Sequence, residues 1–280
     1  MHSYAVVDAF TDTPLEGNPV AVFFDASDIS AARMQKIARE MNLSEVTFVL
    51  PAENGGDARI RIFTPVNELP FAGHPLLGTA AVLGESVARD RLLLETAMGV
   101  IPFDIERAEG PGRATTVRMK QPVPTWEPYE RADEVLAALG LEGSTLPVEA
   151  YRNGPRHVFV GLEDEPSLAA LEPDLRALAK CPDMAVNCFA PAEGYWRTRM
   201  FSPAYGVAED AATGSAAGPL AIHLARHGLS TFGRRVEILQ GVEIGRPATM
   251  IATAVGTARQ IDSVEVGGAA VVVARGALHV

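Results

Sequence analysis

Two cysteines, Cys181 and Cys188, are the whole thiol content of a 280-residue chain. A disulfide framework is therefore excluded, and the Cys-x6-Cys spacing is not that of a zinc site. Lysine is almost as scarce, with only Lys36, Lys120 and Lys180, which leaves few candidates for a buried Schiff-base lysine. Lysine and arginine number 24 against 35 acidic residues, a formal charge of −11, and the nearest approach to a basic cluster is Arg234-Arg235. That balance argues against nucleic acid or an anionic membrane as partner. No apolar run approaches the roughly 18 residues of a membrane-spanning helix, since even Ala269 to Ala274 stops at Arg275. Met1 to Asp8 carries neither the basic region nor the apolar core of a secretory leader, so a cytoplasmic protein is expected. Also missing are G-x-G-x-x-G after a strand, G-x-x-x-x-G-K-[ST] and H-E-x-x-H. Chemistry with no cofactor and no metal is the expectation.

What is present reads as a globular protein, 48% hydrophobic and 21% charged, long enough for roughly two domains. The 25 glycines and 20 prolines bound short apolar segments such as Pro19 to Phe24, Val46 to Leu50, Ile60 to Phe63, His157 to Val160 and Val236 to Leu239. Many short strands joined by tight connections are predicted. Helices are fewer. Ile29 to Met41, after Asp28 or Ser30 as cap, places Met34, Ile37, Ala38 and Met41 on one face. Arg131 to Leu139, stopped by Gly140, and Pro173 to Leu178 look similar. His74 to Leu83 and Ser215 to Leu224 are apolar nearly all round, which predicts core helices. Each has a proline, Pro75 or Pro219, expected within the first turn, where the missing N–H costs nothing.

The approaches to these two helices repeat. Phe63-Thr64-Pro65, Glu68 and Phe71-Ala72-Gly73-His74 precede the first; Phe201-Ser202-Pro203, Glu209-Asp210 and Ala212-Thr213-Gly214-Ser215 precede the second. The offsets are 138 and 141 residues, about half the chain. We read two halves, each a set of short strands closing around one buried helix, with a boundary near Gln121 to Pro128.

Both helix starts follow a glycine, and such a start presents unpaired N–H groups backed by the positive end of the dipole. Two of them facing each other suit a small acid held between domains, although glycines there serve close packing equally well. Glu45 directly precedes Val46 to Leu50, at the rim of apolar structure, where burial raises a carboxyl pKa toward a proton-shuttling range. A solvated loop glutamate is the plainer alternative. Asp210 sits in an apolar run and is expected to be buried, with Glu209 pointing elsewhere. His223 and His227 are spaced for a metal pair, but His227 before Gly228 is better read as complementing the helix dipole. His74, Asp210 and Ser215 have the composition of a hydrolase triad, yet Gly214-Ser215-Ala216-Ala217-Gly218 is not G-x-S-x-G.

Gly17-Asn18-Pro19-Val20-Ala21-Val22, Arg39 to Glu45, Phe63 to Gly78 and Phe201 to Gly218 together resemble the phenazine-biosynthesis PhzF isomerases. The likeness extends to Asn153-Gly154-Pro155-Arg156-His157-Val158-Phe159-Val160-Gly161 and to Val236 to Pro247, and is indistinct around Gly84 to Arg91, Arg107 to Arg113 and Thr125 to Ser144. The resemblance implies an α+β, diaminopimelate-epimerase-like fold. It has two pseudo-symmetric domains, each an antiparallel β-barrel closed around a central buried helix, with the active site between them and a homodimer overall. On this chain the domains become 1–122 and 123–280, with the last strand, 270–280, a candidate to return to the first. The implied reaction is isomerisation of trans-2,3-dihydro-3-hydroxyanthranilic acid by proton transfer from C3 to C1. The product is an enol that relaxes to a reactive amino ketone, and neither cofactor nor metal takes part.

Carried over residue by residue, Glu45 matches the proton-transferring glutamate, and His74, Asp210 and Ser215 match the other polar active-site positions. Asn18, Gly73 and Gly214 become substrate-binding. Racemases and epimerases of the same fold use two opposed cysteines, and here Ala72-Gly73-His74 and Thr213-Gly214-Ser215 contain none. An amino-acid racemase is the enzymatic alternative; a non-catalytic small-acid binding protein is the other.

Overall fold

Thr115-Thr116-Val117-Arg118-Met119-Lys120 buries every second side chain, the period-2 signature of a strand with one face in a core. Other segments, such as Ala185 to Ala190, are buried at every position, as strands covered on both faces are. The structure, a computed structural model, describes residues 1–85, 89–107 and 114–280. Among them are seventeen strands joined in one sheet system. The first half carries β1 (His2–Ala9), β2 (Asn18–Phe23), β3 (Glu45–Leu50), β4 (Ala58–Phe63), β5 (Glu68–Leu69), β6 (Arg91–Thr96), β7 (Gly99–Arg107) and β8 (Thr115–Lys120). The second carries β9 (Thr125–Pro128), β10 (Glu149–Arg152), β11 (Arg156–Gly161), β12 (Ala185–Pro191), β13 (Trp196–Ser202), β14 (Val207–Asp210), β15 (Arg235–Gln240), β16 (Ala248–Gly256) and β17 (Ile261–Leu278). The result is a mixed α/β protein whose strand-rich, barrel-like sheet encloses few helices.

β2 runs parallel to β3, and β11 parallel to β12. β4 runs parallel to β6, and β13 parallel to β15. The hairpins β3–β4 and β12–β13, β6–β7 and β15–β16 are antiparallel. β17 is longer than the expected last strand, 270–280, because it begins at Ile261. Its first part pairs with β16, Glu265 to Ala270 pairs with β8, and Ala270 to Leu278 runs back along β1. Small residues, Gly267-Gly268-Ala269-Ala270, let it thread between both sets of strands.

The helices are α1 (Ala31–Met41), α2 (Gly73–Gly84), α3 (Ala132–Leu139), α4 (Glu165–Ala169), α5 (Leu175–Leu178) and α6 (Gly214–Arg226). α1 lays Met34, Ile37 and Ala38 onto Phe23, Phe48 and Phe63, as its spacing predicts. α3 ends at Gly140 with φ 72°, a left-handed cap. α5 is shorter than Pro173 to Leu178 because Asp174 caps it, its side chain accepting from the N–H groups of Arg176 and Ala177. α2 and α6 are the core helices: Leu76, Leu77 and Ala80 of one and Leu220, Ala221 and Leu224 of the other join a single apolar cluster.

Pro219 is not in the first turn; it is the sixth residue of α6. It cannot donate to the carbonyl of Ser215, which accepts instead from Asn153 Nδ2 at 2.9 Å. The next carbonyl toward the start, Gly214 O, accepts from Gln121 Nε2 at 2.7 Å. The Asn153 side chain replaces the one lost helical hydrogen bond, and the apolar proline stays in the core. Among the described residues no helix is long and apolar enough to cross a membrane.

Candidate active site

α2 and α6 meet end to end. A Cβ placed on Gly73 would lie 2.3 Å from the backbone nitrogen of Ser215, and one on Gly214 would lie 3.1 Å from the nitrogen of His74. Close packing therefore requires both glycines. Neither helix has a side-chain cap, so two positive dipole ends face one small volume, an arrangement that favours an anion between them.

Around this junction the strands bring in polar side chains from both halves. Asn18 opens β2 and is 1% exposed; Asp210 closes β14 and is 4% exposed. Asn18 Nδ2 donates to Asp210 Oδ1 at 2.7 Å and to the carbonyl of Ala212 at 2.9 Å. Asp210 accepts further from Ser44 Oγ at 3.2 Å and Thr213 Oγ1 at 2.8 Å. Those bonds pull its pKa down, but burial outweighs them and lifts it to about 6. Glu209, the adjacent residue, points away as expected and forms a two-armed ion pair with Arg199, both distances 2.9 Å.

Glu45 opens β3 beside Val20 of β2. Its carboxyl is raised well above the usual range, first by burial and then by the charge of Asp210. Its Oε2 lies 3.3 Å from His74 Nε2. Both atoms are buried, and neither has a hydrogen-bond partner among the described residues. Buried polar atoms are rarely left so, and two of them side by side mark a place where a ligand completes the bonding.

His74 Nδ1 faces Asn18 Nδ2 at 3.1 Å. Because that amide nitrogen also faces a carboxylate and a carbonyl, it is the NH2 group and has no lone pair to accept from the ring, so Nδ1 is left unprotonated and the ring proton sits on Nε2, toward Glu45. Burial holds the imidazole neutral, with its pKa down at about 3. Ser215, 5% exposed, lies 3.0 Å from His157 Nε2 and makes no triad with His74. The hydrolase arrangement is absent.

Glu45, Gly73, His74, Asp210, Gly214 and Ser215 line one cavity of about 30 Å³, with Thr64, His157 and Tyr205. Asn18 stands behind them, linking His74 to Asp210. His157, Ser44 and Thr213 were not singled out by sequence reasoning. Their only signal is a polar residue inside an otherwise apolar or motif-bearing stretch. Cys181 and Cys188 are buried elsewhere, and burial pushes the Cys188 thiol up to about 12.

His223 of α6 and His227, the residue after its end, form a separate cluster. Glu149 Oε2 lies 3.1 Å from His223 Nδ1, 3.2 Å from His227 Nε2 and 2.6 Å from Arg226 Nη1. Burial pushes the Glu149 carboxyl up, yet the bonds from His223, Arg226 and His227 win and hold it well below its usual range. His227 thus serves a buried carboxylate more than the helix dipole. The three ligand atoms come within 4.8 Å of one another, but the guanidinium already supplies the charge that a metal ion would bring.

Residues 7–276 match the model of the PhzC-PhzF family, described as phenazine biosynthesis-like protein. The chain is 65% identical over 268 residues to the trans-2,3-dihydro-3-hydroxyanthranilate isomerase of Pseudomonas aeruginosa, covering 96% of each. It is 64% identical to the isomerase of the same name from Pseudomonas fluorescens, covering 99% of each. The crystal structure of a phenazine biosynthesis protein of the PhzF family from Bacillus anthracis superposes with a TM-score of 0.85 at 24% identity, covering 100% of this chain and 99% of that one. With both halves of the motif set gathered at one buried junction, and that similarity running through nearly the whole length, the chain belongs to the phenazine biosynthesis-like PhzC-PhzF family.

Proposed function

We propose that this protein is the isomerase of trans-2,3-dihydro-3-hydroxyanthranilic acid in phenazine biosynthesis, with Glu45 as its proton carrier. The identity to isomerases of that name supports the substrate, and one observation carries the mechanism. Glu45 and Asp210, one from each half, are both raised by burial, and the charge of Asp210 raises the proton affinity of Glu45 further. Such a pair holds one proton between them near neutral pH.

In the state where Asp210 holds it, Glu45 is free to act as base. Glu45 takes the proton from C3, the electron pair moves through the ring unsaturation to C1, and the same carboxyl returns the proton to C1 on the same face. The hydroxyl left on C3 is then an enol, which relaxes to the ketone. His74 Nε2–H, beside Glu45, and Asp210 orient the hydroxyl and amine. The helix starts at Gly73 and Gly214, with Ser215, take the carboxylate. No step needs a cofactor or a metal.

The repeated order of parallel and antiparallel pairings supports two pseudo-symmetric barrels, 1–122 and 123–280, and the pairing of β17 with β1 supports return of 270–280 to the first. Family membership is the support for a homodimer, and the two free cysteines are the support for a cytoplasmic location. The racemase alternative lacks a thiol at the junction, and the binding-protein alternative gives no role to a carboxyl pair with raised proton affinity. The test is to mix purified protein with the dihydro acid and follow absorbance of the tricyclic condensation product. No product above the spontaneous rate would refute the assignment.

A further inference from the structure

Ser215 has a neighbour to which the mechanism above gives no task. His157, in β11 and 1% exposed, brings Nε2 to 3.0 Å from Ser215 Oγ. On its other side Nδ1 faces Asn187 Nδ2, from β12, at 3.4 Å. The same Asn187 nitrogen lies 3.0 Å from the carbonyl of Ala185. A carbonyl can only accept, so this atom is the amide NH2 and can only donate. His157 Nδ1 is therefore an acceptor and carries no proton. Burial, with the Arg152 charge adding to it, holds the ring neutral, its pKa down at about 3. Its single proton sits on Nε2 and is donated to Ser215 Oγ. The serine oxygen accepts from the imidazole, which leaves the serine hydrogen for another acceptor, and Ser215 lines the cavity between α2 and α6.

We propose that His157, oriented by Asn187, is a positioning residue that makes Ser215 an obligate hydrogen-bond donor to substrate, and so selects an accepting atom, a carboxylate oxygen, at that place. An Nε2–H imidazole has no lone pair on that nitrogen with which to take the serine proton, so the same geometry bars Ser215 from acting as a nucleophile. The inference rests on the proposed function only in taking the ligand at Ser215 to be the dihydro acid; the tautomer is independent of it.

The tautomer is read first, without substrate, from long-range ¹H–¹⁵N correlation spectra of protein labelled with ¹⁵N-histidine, with His157→Gln giving the assignment. A neutral, Nε2-protonated ring across pH 6 to 8 is expected; an Nδ1-protonated or charged ring overturns the proposal. Asn187→Asp places an acceptor at Nδ1, so the ring proton moves there and Nε2 competes for the serine hydrogen. KM for the dihydro acid then rises roughly tenfold, while kcat moves less. An unchanged KM with a switched tautomer overturns the proposal.

In the kinetic cycle, Ser215→Ala and His157→Leu each raise KM roughly ten- to hundredfold, and the double variant is no worse than the weaker single one. Additive losses mean that His157 only fills space, which also overturns it. If His157→Leu does not fold, His157→Gln, which keeps a donor near Ser215, retains KM within a few-fold, and a full loss there counts against the role. A wild-type protein inert toward the dihydro acid refutes the proposed function instead, with the spectra still deciding the tautomer.

Discussion

Glu45→Gln removes one titrating oxygen and almost no volume. The glutamate side chain is 14% exposed and its Oε2, 3.3 Å from His74 Nε2, has no hydrogen-bond partner among the described residues, so the amide fits the same space with little change to the packing of β3. What disappears is the group that accepts and returns a proton. General acid–base catalysis contributes about 10²- to 10⁴-fold, so kcat falls by that factor, about 3 to 5 kcal/mol of transition-state stabilisation, while KM stays within a few-fold. Asp210→Asn behaves differently. Asp210 Oδ1 accepts from Asn18 and Ser44 and Oδ2 from Thr213, so an amide there keeps an acceptor at only one of the two places and costs stability and binding as well as rate.

The raised pKa also fixes a sign. In the unfolded chain Glu45 ionises at its ordinary value, while in the folded protein it holds its proton to higher pH. Between those values the folded state binds more protons than the unfolded, so this carboxyl lowers stability as pH rises through the window. Glu45→Gln should therefore melt higher than wild type at alkaline pH and show little difference at mildly acidic pH. The assay is the absorbance of condensed product, run beside thermal melts at two pH values. A folded Glu45→Gln protein turning over at near wild-type rate would falsify the assignment and shift the proton carrier to Asp210.

The carboxyl pair predicts a bell-shaped pH dependence of kcat/KM. Activity falls as pH drops through about 6, where Asp210 takes a second proton and leaves no base, and falls again once the shared proton is lost; a flat acid limb speaks against the pair. Turnover in D₂O should place deuterium at C1 to the extent that the carboxyl proton exchanges during transfer, and mass spectrometry showing label only at other carbons contradicts a C3-to-C1 transfer. Replacing Cys181 and Cys188 with Ala, or adding a chelator, should leave most activity; loss restored by zinc would revive the Glu149, His223 and His227 cluster as a metal site. Gly73→Val is expected to destabilise by roughly 1 to 3 kcal/mol, because its branched side chain meets the Ser215 backbone, and an unchanged melting temperature refutes the end-to-end contact.

Local patterns carried much of this protein. α2 and α6 are legible because a helix apolar on every face has nowhere to go but a core, and α3 because Gly140 is free to take φ 72°. The family motifs singled out Asn18, Glu45, His74, Asp210 and Ser215, since a short motif needs no knowledge of what lies across the cleft. Distance along the chain hid the rest. His157 lies 58 residues from Ser215 and 30 from Asn187, inside a run that reads as an ordinary strand. Pro219 looked like a first-turn proline because nothing local announces that Asn153 will satisfy the Ser215 carbonyl. The last strand looked as if it began at 270 because its earlier part, Ile261 to Ala269, takes its strand character from pairing with β16 and β8, while Asp262, Ser263 and Gly267-Gly268 interrupt any apolar run. Propensity and periodicity are properties of neighbours in sequence, whereas a tautomer, a shared proton and a raised pKa are properties of neighbours in space. The residue types were therefore written in the chain, and their protonation states came only from burial at the junction of two helices.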